Sequence, residues 1–224
     1  MIGQSVNDTA VKRGTRLTLR DQAHWMTMTQ RFVTPADSRS MPWKNGGGAT
    51  LELAAAPPGA ALDDFVWRAS IATIERDGPF STFAGVDRTL VLLSGAGMRL
   101  RVGAQDVLVH VPGTVVTFAG EAPVACELVS GPTRDFNFMV RRERARAEVA
   151  VVADAPREVG RASTIVCHAI AQACRCELPG RAPVTLPEGH TLVAEGEDAA
   201  RGVRITPDMP GSAAIVAAVH EVSR

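Results

Sequence analysis

Short apolar stretches separated by glycine, proline and aspartate run through most of this chain, and this pattern restricts its fold more than any other feature. From Thr29 onward it contains segments such as TLVLLS (89–94) and VACELV (124–129), each followed by residues typical of tight turns. Parallel strands would need amphipathic helices of roughly 10–15 residues between them, and none is evident. We therefore predict an all-β fold, a closed or sandwiched antiparallel barrel, with residues 89–111 as a meander of hairpins.

The length of 224 residues suits one large β domain or two small ones. We expect two β lobes, residues 28–148 and 149–224, packed together without a linker. Residues 1–27 show neither strand nor helix periodicity, so we expect an N-terminal extension outside the core. Met26 and Met28 provide alternative starting points for the chain.

Charge and cysteine content narrow the classes of partner. The 24 basic and 24 acidic residues cancel and form no long block, so we expect no nucleic-acid partner. No apolar run approaches the roughly 18 residues of a membrane helix, so we expect no membrane partner. The four cysteines form no CxxC pair, and a reduced, cytoplasmic setting fits best.

The first segment of chemical interest is MPWKNGGGATLEL, residues 41–53. Its three glycines allow close backbone approach, and Lys44 and Asn45 add a charge and an amide beside them. A phosphate-binding loop is disfavoured, because GxxxxGK[ST] is absent and no helix follows. A tight turn leading into a strand over residues 49–54 is the alternative.

The second segment covers residues 65–72 and 77–88 and includes an arginine among large apolar residues. In a strand over residues 66–74, alternate side chains share a face, so two sets form. One set is Arg68, Ser70 and Ala72, and the other is Trp67, Ala69 and Ile71. Arg68 needs a counter-charge, which is either internal, from Glu52 or Asp135, or the carboxylate of a ligand.

The third segment, GPTRDFNFMVRR, covers residues 131–142. Asp135, Asn137 and Met139 alternate with Phe136 and Phe138, which predicts a strand with one polar edge and one aromatic core face. Capping at a strand end together with core packing would explain the same pattern without any ligand.

Together these segments resemble the HutD family, including its stress-induced Ves branch. The family patterns PWKNGGGxTxE, FxWRxSxA, DGPFSxFPGxDR and GPxxDFNxMxRR occur in this order over residues 42–142. One departure is Ala84, where the family commonly has proline. The resemblance implies a cupin fold of the RmlC-like jelly-roll type, with two barrel-like lobes in a bicupin-like chain.

Metal cupins take their ligands from an HxH stretch, but the segment that aligns with it, residues 80–83, contains no histidine. We therefore predict no metal and no cofactor. One rival zinc site remains, formed by Cys167 and His168 together with Cys174 and Cys176. CxC is a weak zinc spacing, and buried thiols are the default explanation.

By resemblance, the family acts in the control of bacterial histidine utilisation, by sensing an intermediate such as N-formylglutamate or urocanate. We therefore favour a small-molecule-binding regulator over an enzyme, with a small carboxylate as ligand and a homodimer as one expected assembly. The expected ligand-binding residues are Lys44, Asn45, Arg68, Ser70, Phe80, Ser81, Asp135 and Asn137.

Two other functions stay open. The first is a metal-free hydrolase or isomerase acting on a similar acid, with His110 paired to Asp135 or Asp87 as the base. The second is a Ves-like interaction protein whose pocket has no ligand.

Overall fold

The computed structural model describes residues 30–43 and 46–222, so the predicted extension, residues 1–27, lies outside the described part. Within these ranges the chain is almost entirely β-structure, with one 3-10 turn at Pro35–Asp37 and one α-helix, α1, at Gly196–Arg201. No helix there has the length and apolar character needed to cross a bilayer. In chain order the strands are β1 Gln30–Val33, β2 Arg39–Pro42, β3 Gly48–Ala56, β4 Trp67–Ile74, β5 Gly78–Pro79, β6 Val86–Ser94, β7 Met98–Val102, β8 Gln105–Val109, β9 Val115–Ala119, β10 Val124–Leu128, β11 Thr133–Arg141, β12 Ala145–Ala153, β13 Arg157–Val159, β14 Thr164–Ala171, β15 Cys174–Glu177, β16 Val184–Leu186, β17 Thr191–Glu195, β18 Val203–Pro207 and β19 Ala213–Glu221.

The described strands form four sheets, which we number I to IV in the order in which they stack. Sheet I has the order β5-β10-β7-β8, sheet II β2-β3-β4-β11-β6-β9, sheet III β1-β17-β14-β19-β12 and sheet IV β13-β18-β15-β16. Sheets I and II, the first half, use residues 39–141, and sheets III and IV, the second half, use residues 145–221 together with β1. The all-β prediction is confirmed, with open sheets facing each other in jelly-roll fashion. The lobe boundary at residue 148 stays a prediction.

Three apolar clusters hold the four sheets together. Leu90 and Leu100 belong to the cluster between sheets I and II. Trp67 stacks on Phe138 between sheets II and III, with ring centroids 5.8 Å apart. Leu186 is fully buried between sheets III and IV. Each interior therefore removes apolar surface from water, which is the main stabilising contribution to such a fold.

The position of a sheet in the stack explains the burial pattern of its strands. Sheet II lies between two others, so nearly every residue of β4 and β11 is buried. Sheet I has one face toward solvent, and β7 accordingly alternates, with Met98 and Leu100 buried and Arg99 and Arg101 exposed. Several polar residues of β4 and β11, among them Arg68, Asp135 and Asn137, therefore lie inside the molecule.

The predicted meander over residues 89–111 is only partly right. Strands β7 and β8 form a hairpin, but β6 pairs with β11 and β9 in sheet II and not with β7. The chain crosses from sheet II to sheet I at Gly97, which has a φ of +92°, and a Cβ there would lie 2.2 Å from the carbonyl oxygen of Val109. Only glycine fits such a crossing.

Candidate functional site

A cavity of about 620 Å³ lies between sheets I and II. Its walls combine aromatic and aliphatic side chains with a small group of polar side chains from neighbouring strands of sheet II, a composition typical of small-molecule sites. The lining residues are Met41, Pro42, Trp43, Thr50, Leu62, Arg68, Ser70, Ala72, Ile74, Pro79, Phe80, Ser81, Phe83, Arg88, Asp135, Asn137 and Met139.

Strand register brings the polar side chains of the cavity together. Asn137 on β11 pairs with Ser70 on β4, and Met139 pairs with Arg68 on one side and with Arg88 on the other. Because side chains alternate across a strand, these residues all point to the face of sheet II that meets sheet I. Trp67 and its predicted companions point to sheet III, so the predicted alternation is confirmed.

Arg68 is buried, and its charge is already compensated. Its Nε donates to Glu52 Oε2 at 2.6 Å, and one terminal nitrogen donates to Ser70 Oγ at 3.3 Å. Of the partners that the sequence left open, the internal one, Glu52, is therefore the one observed. Because the ion pair neutralises this guanidinium, Arg68 has less attraction left for a ligand carboxylate.

Arg88 presents the opposite situation. Only 7% of it is exposed, and it donates to neutral oxygens, Asn137 Oδ1 at 2.9 Å and the carbonyl of Ser81 at 3.1 Å. No carboxylate of the described residues lies within 4.0 Å of its nitrogens, and its buried Nε has no hydrogen-bond partner. Burial lowers its pKa to about 10, so the guanidinium stays charged at neutral pH. A buried cation without an ion-pair partner is costly, which makes it a candidate anion site.

Aromatic rings surround this guanidinium. Its central carbon lies 5.3 Å from the ring centroid of Phe80, 5.6 Å from that of Phe83 and 5.2 Å from that of Phe118. Such contacts stabilise a cation through the negative faces of the rings. They do not supply a counter-charge, so Arg88 remains able to attract an anion.

Asp135 is the other unusual group of the cavity. It is fully buried, its Oδ1 accepts a hydrogen bond from the Asn137 amide, and its Oδ2 has no partner. Burial raises its pKa to about 7, and the opposing attraction of Arg88 is smaller. The carboxyl group therefore changes its charge in the neutral pH range.

The structure brings together six of the eight residues predicted to bind a ligand. Arg68, Ser70, Phe80, Asp135 and Asn137 line the cavity. The sixth, Ser81, lines it and also supplies a backbone carbonyl to Arg88. Lys44 and Asn45 lie outside the described residues, and their role stays a prediction.

Sequence reasoning did not select Arg88 itself, although it lies in the recognised motif DGPFSTFAGVDR. The available signal was its spacing from Leu90 and Leu92, which places it on the same buried face of β6. Trp43 and Thr50 were missed as well. The indole nitrogen of Trp43 donates to Thr50 Oγ1 at 2.8 Å across the wall of the cavity.

The described glycines, Gly46 to Gly48, run directly into β3, which the alternative interpretation expected. Gly46 has a φ of +67°, which favours glycine. A Cβ on Gly48 would lie 2.1 Å from the carbonyl oxygen of Thr73 on β4. At Gly48 the close approach is therefore between two paired strands and not between backbone and a phosphate.

The rival zinc site is not assembled. Cys167, Cys174 and Cys176 lie in the cluster between sheets III and IV, whereas His168 points the other way, stacks on Phe136 and bonds to Thr191. Among the described residues, no group of three or more histidine, cysteine and acidic side chains is arranged to hold a metal ion.

The proposed acid–base pairs are not assembled either. His110 lies exposed directly after β8, whereas Asp135 is fully buried in the cavity. Asp87 is occupied by Arg142, whose terminal nitrogen lies 2.7 Å from its Oδ1. Neither aspartate is hydrogen-bonded to His110 in the described part of the chain.

Stacked jelly-roll sheets with a polar cavity between two of them define a protein of the cupin class. A mutant form of Bacillus subtilis oxalate decarboxylase shares this fold, with a TM-score of 0.59 over 88% of this chain and 78% of that chain, at 7% identity. At such low identity, the similarity shows a shared fold and does not extend to function.

A family model described as HutD matches residues 35–214, and the chain belongs to the HutD family. The resemblance seen in the sequence motifs is thus confirmed. HutD from Pseudomonas fluorescens SBW25, solved in a formate condition, is 30% identical, with a TM-score of 0.73 over 87% of this chain and 100% of that one.

Two relatives extend the comparison. A protein of Pseudomonas putida named as an uncharacterized 21.2 kDa protein in the hutC 3' region is 39% identical over 175 residues, which cover 78% of this chain and 92% of that protein. Protein Ves of Cronobacter sakazakii is 43% identical over 133 residues, which cover 56% and 70%.

Proposed function

We propose that this chain binds a small carboxylate metabolite in the cavity between sheets I and II and thereby regulates histidine utilisation. The observation that carries the proposal is Arg88, a buried guanidinium facing the cavity without a carboxylate partner among the described residues. A ligand carboxylate would pair directly with this guanidinium, and hydrogen bonds between a guanidinium and a carboxylate are among the strong ones.

The other walls of the cavity support the same class of ligand. Trp43, Phe80 and Phe83 offer flat apolar surfaces for the carbon skeleton of a small acid. Ser70 and Thr50 offer hydroxyl groups for its remaining polar atoms. Membership in the HutD family, and the P. putida relative named for the hutC region, support histidine utilisation as the setting.

Calorimetric titration of the purified protein with N-formylglutamate, urocanate and histidine tests the proposal. We expect at least one of the two carboxylates to bind, and Arg88→Met to weaken its binding on the order of 100-fold, because a buried charge pair is lost. Arg68→Met should weaken binding less, since Arg68 already pairs with Glu52. Circular dichroism verifies that each variant is folded.

Arg101→Met is the matched control, because Arg101 lies exposed on the outer face of sheet I and pairs with Asp106. It should leave the affinity unchanged. Absence of binding by all three compounds would contradict the proposal, as would full affinity in Arg88→Met. Consumption of a compound during titration would indicate an enzyme instead of a sensor.

A further inference from the structure

Among the described residues that line the cavity, two buried side-chain atoms have no hydrogen-bond partner, and they are of opposite kinds. Arg88 Nε is a donor and Asp135 Oδ2 is an acceptor, and both residues line the same space. Their side chains make no ion pair within 4.0 Å in the described structure. Each therefore keeps hydrogen-bonding capacity that a ligand can use.

The charged and titratable groups around Asp135 come from four other strands. Arg88 on β6 is a cation, and Arg68 on β4 is joined to Glu52 on β3 in an ion pair. On β10 in sheet I, burial raises the pKa of the Cys126 thiol to about 12, which keeps it neutral. With Asp135 ionised, these groups carry no net charge.

A carboxylate that reaches Arg88 changes this balance. It adds a second negative charge near Asp135 and engages the guanidinium whose attraction favours the ionised aspartate. Two carboxylates that share one buried site do not both remain ionised easily, and the affinity of one of them for a proton rises strongly.

We propose that Asp135 takes up a proton when a carboxylate binds at Arg88, so that the cavity binds an anion and a proton together. The inference rests on the proposed function of the same site. It assigns Asp135 a specificity-determining role, because a protonated carboxyl changes from an acceptor into a donor and favours an anionic ligand over a cationic one.

Because ligand binding is coupled to proton uptake by Asp135, the ligand affinity depends on pH. In the free protein the pKa of Asp135 is about 7, so well below pH 7 the proton is already present and binding takes up none. Above pH 7 the free group is ionised, and binding takes up a proton until the pH reaches the higher pKa of the complex. In that window the affinity falls by up to about tenfold per pH unit.

The experiment is calorimetry with N-formylglutamate, whose own carboxyl groups remain ionised near neutral pH, or with formate if N-formylglutamate does not bind. Titrations at pH 8 in triethanolamine and in Tris, two cationic buffers whose ionisation enthalpies differ, report the number of protons taken up. We expect up to one proton per ligand for the wild-type protein and about half of that value at pH 7. Asp135→Asn should bind without uptake and with an affinity independent of pH between 6.5 and 8.5.

Asp106→Asn is the matched control, because Asp106 is exposed on β8 and faces no part of the cavity; it should keep the uptake. Buffer-independent heats in the wild type would overturn the inference but leave carboxylate binding intact. Uptake that persists in Asp135→Asn would overturn the assignment to Asp135. If Asp135→Asn does not fold, the pH dependence of proton uptake by the wild-type protein still tests the proposal. Proton uptake that does not reach half of its maximum near pH 7 contradicts it. Failure of every probe to bind would overturn both proposals.

Discussion

Each half of the molecule is built from its own pair of facing sheets, but the two halves fill the space between their sheets differently. Between sheets III and IV the interior is closed by apolar side chains, among them Cys174, Leu186 and Ile205, none of which has any exposure. Between sheets I and II the apolar cluster occupies only part of the space, and the rest is a cavity with buried arginine and aspartate side chains. The filled interior favours stability, whereas the charged one carries a desolvation cost, which the proposed binding role would explain.

The largest expected effect lies in the filled interior. Leu186→Ala removes a fully buried side chain from a well-packed cluster and should lower the free energy of unfolding by about 2–5 kcal/mol. Urea unfolding measures this loss, and ligand affinity should not change. Leu108→Ala, at a position 45% exposed on β8, should stay within about 0.5 kcal/mol of the wild type. An equally small loss at Leu186 would contradict the contrast between the halves.

The charged interior should respond in the opposite direction. The pKa of Asp135 is about 7 in the folded chain against an ordinary value of 3.8, so the folded chain binds more protons than the unfolded chain between these values. Stability therefore falls as the pH rises through this window, and the cost is complete above pH 7. Asp135→Asn should thus be more stable than the wild type by about 2–4 kcal/mol at pH 8, because the neutral amide avoids the cost of burying an ionised carboxylate. Thermal unfolding of both proteins at pH 8 and at pH 5 measures this difference in stability, which should be smaller at pH 5.

A third prediction concerns the boundary between the halves. His168 points from sheet III toward sheet II, and burial, assisted by the nearby charge of Arg134, lowers its pKa to about 4 from 6.5. The unfolded chain binds more protons between these values, so this group lowers stability as the pH falls below 6.5. Between pH 7 and pH 5 the contribution is on the order of 1–2 kcal/mol.

Comparing the wild type with His168→Gln over this pH range isolates the contribution of His168 from that of Asp135. The variant should lose less stability on acidification than the wild type. His220→Gln, at an exposed position on β19, is the matched control and should behave like the wild type. Parallel pH profiles for the wild type and His168→Gln would count against a neutral buried imidazole.

The smallest effect is expected at Ser70. Its hydroxyl accepts one hydrogen bond of 3.3 Å from Arg68, whose charge is already compensated by Glu52. Ser70→Ala should change the free energy of unfolding by less than about 1 kcal/mol and ligand affinity only a few-fold. A loss of ligand affinity as large as that expected for Arg88→Met would indicate that Arg68, and not Arg88, is the main ligand-binding arginine.

Much of the local structure was predictable. Alternation along residues 66–74 and 133–141 correctly separates the side chains that face the cavity from Trp67, Phe136 and Phe138, which pack against sheet III. The β-structure expected over residues 149–224 is also present, for example in β14 at Thr164–Ala171. The hairpin between β6 and β7 was wrong, because apolar periodicity does not show which sheet a strand joins.

The sequence by itself determined the all-β class, the family and the face on which each polar side chain lies, because side-chain alternation is a local property of an extended backbone. Only the tertiary structure decided which arginine is neutralised. Strand β4 lies beside β3, which carries Glu52, whereas Arg88 lies on β6, beyond β11. Ion pairing in a sheet depends on lateral strand order, and lateral order is set by contacts between residues far apart in the chain.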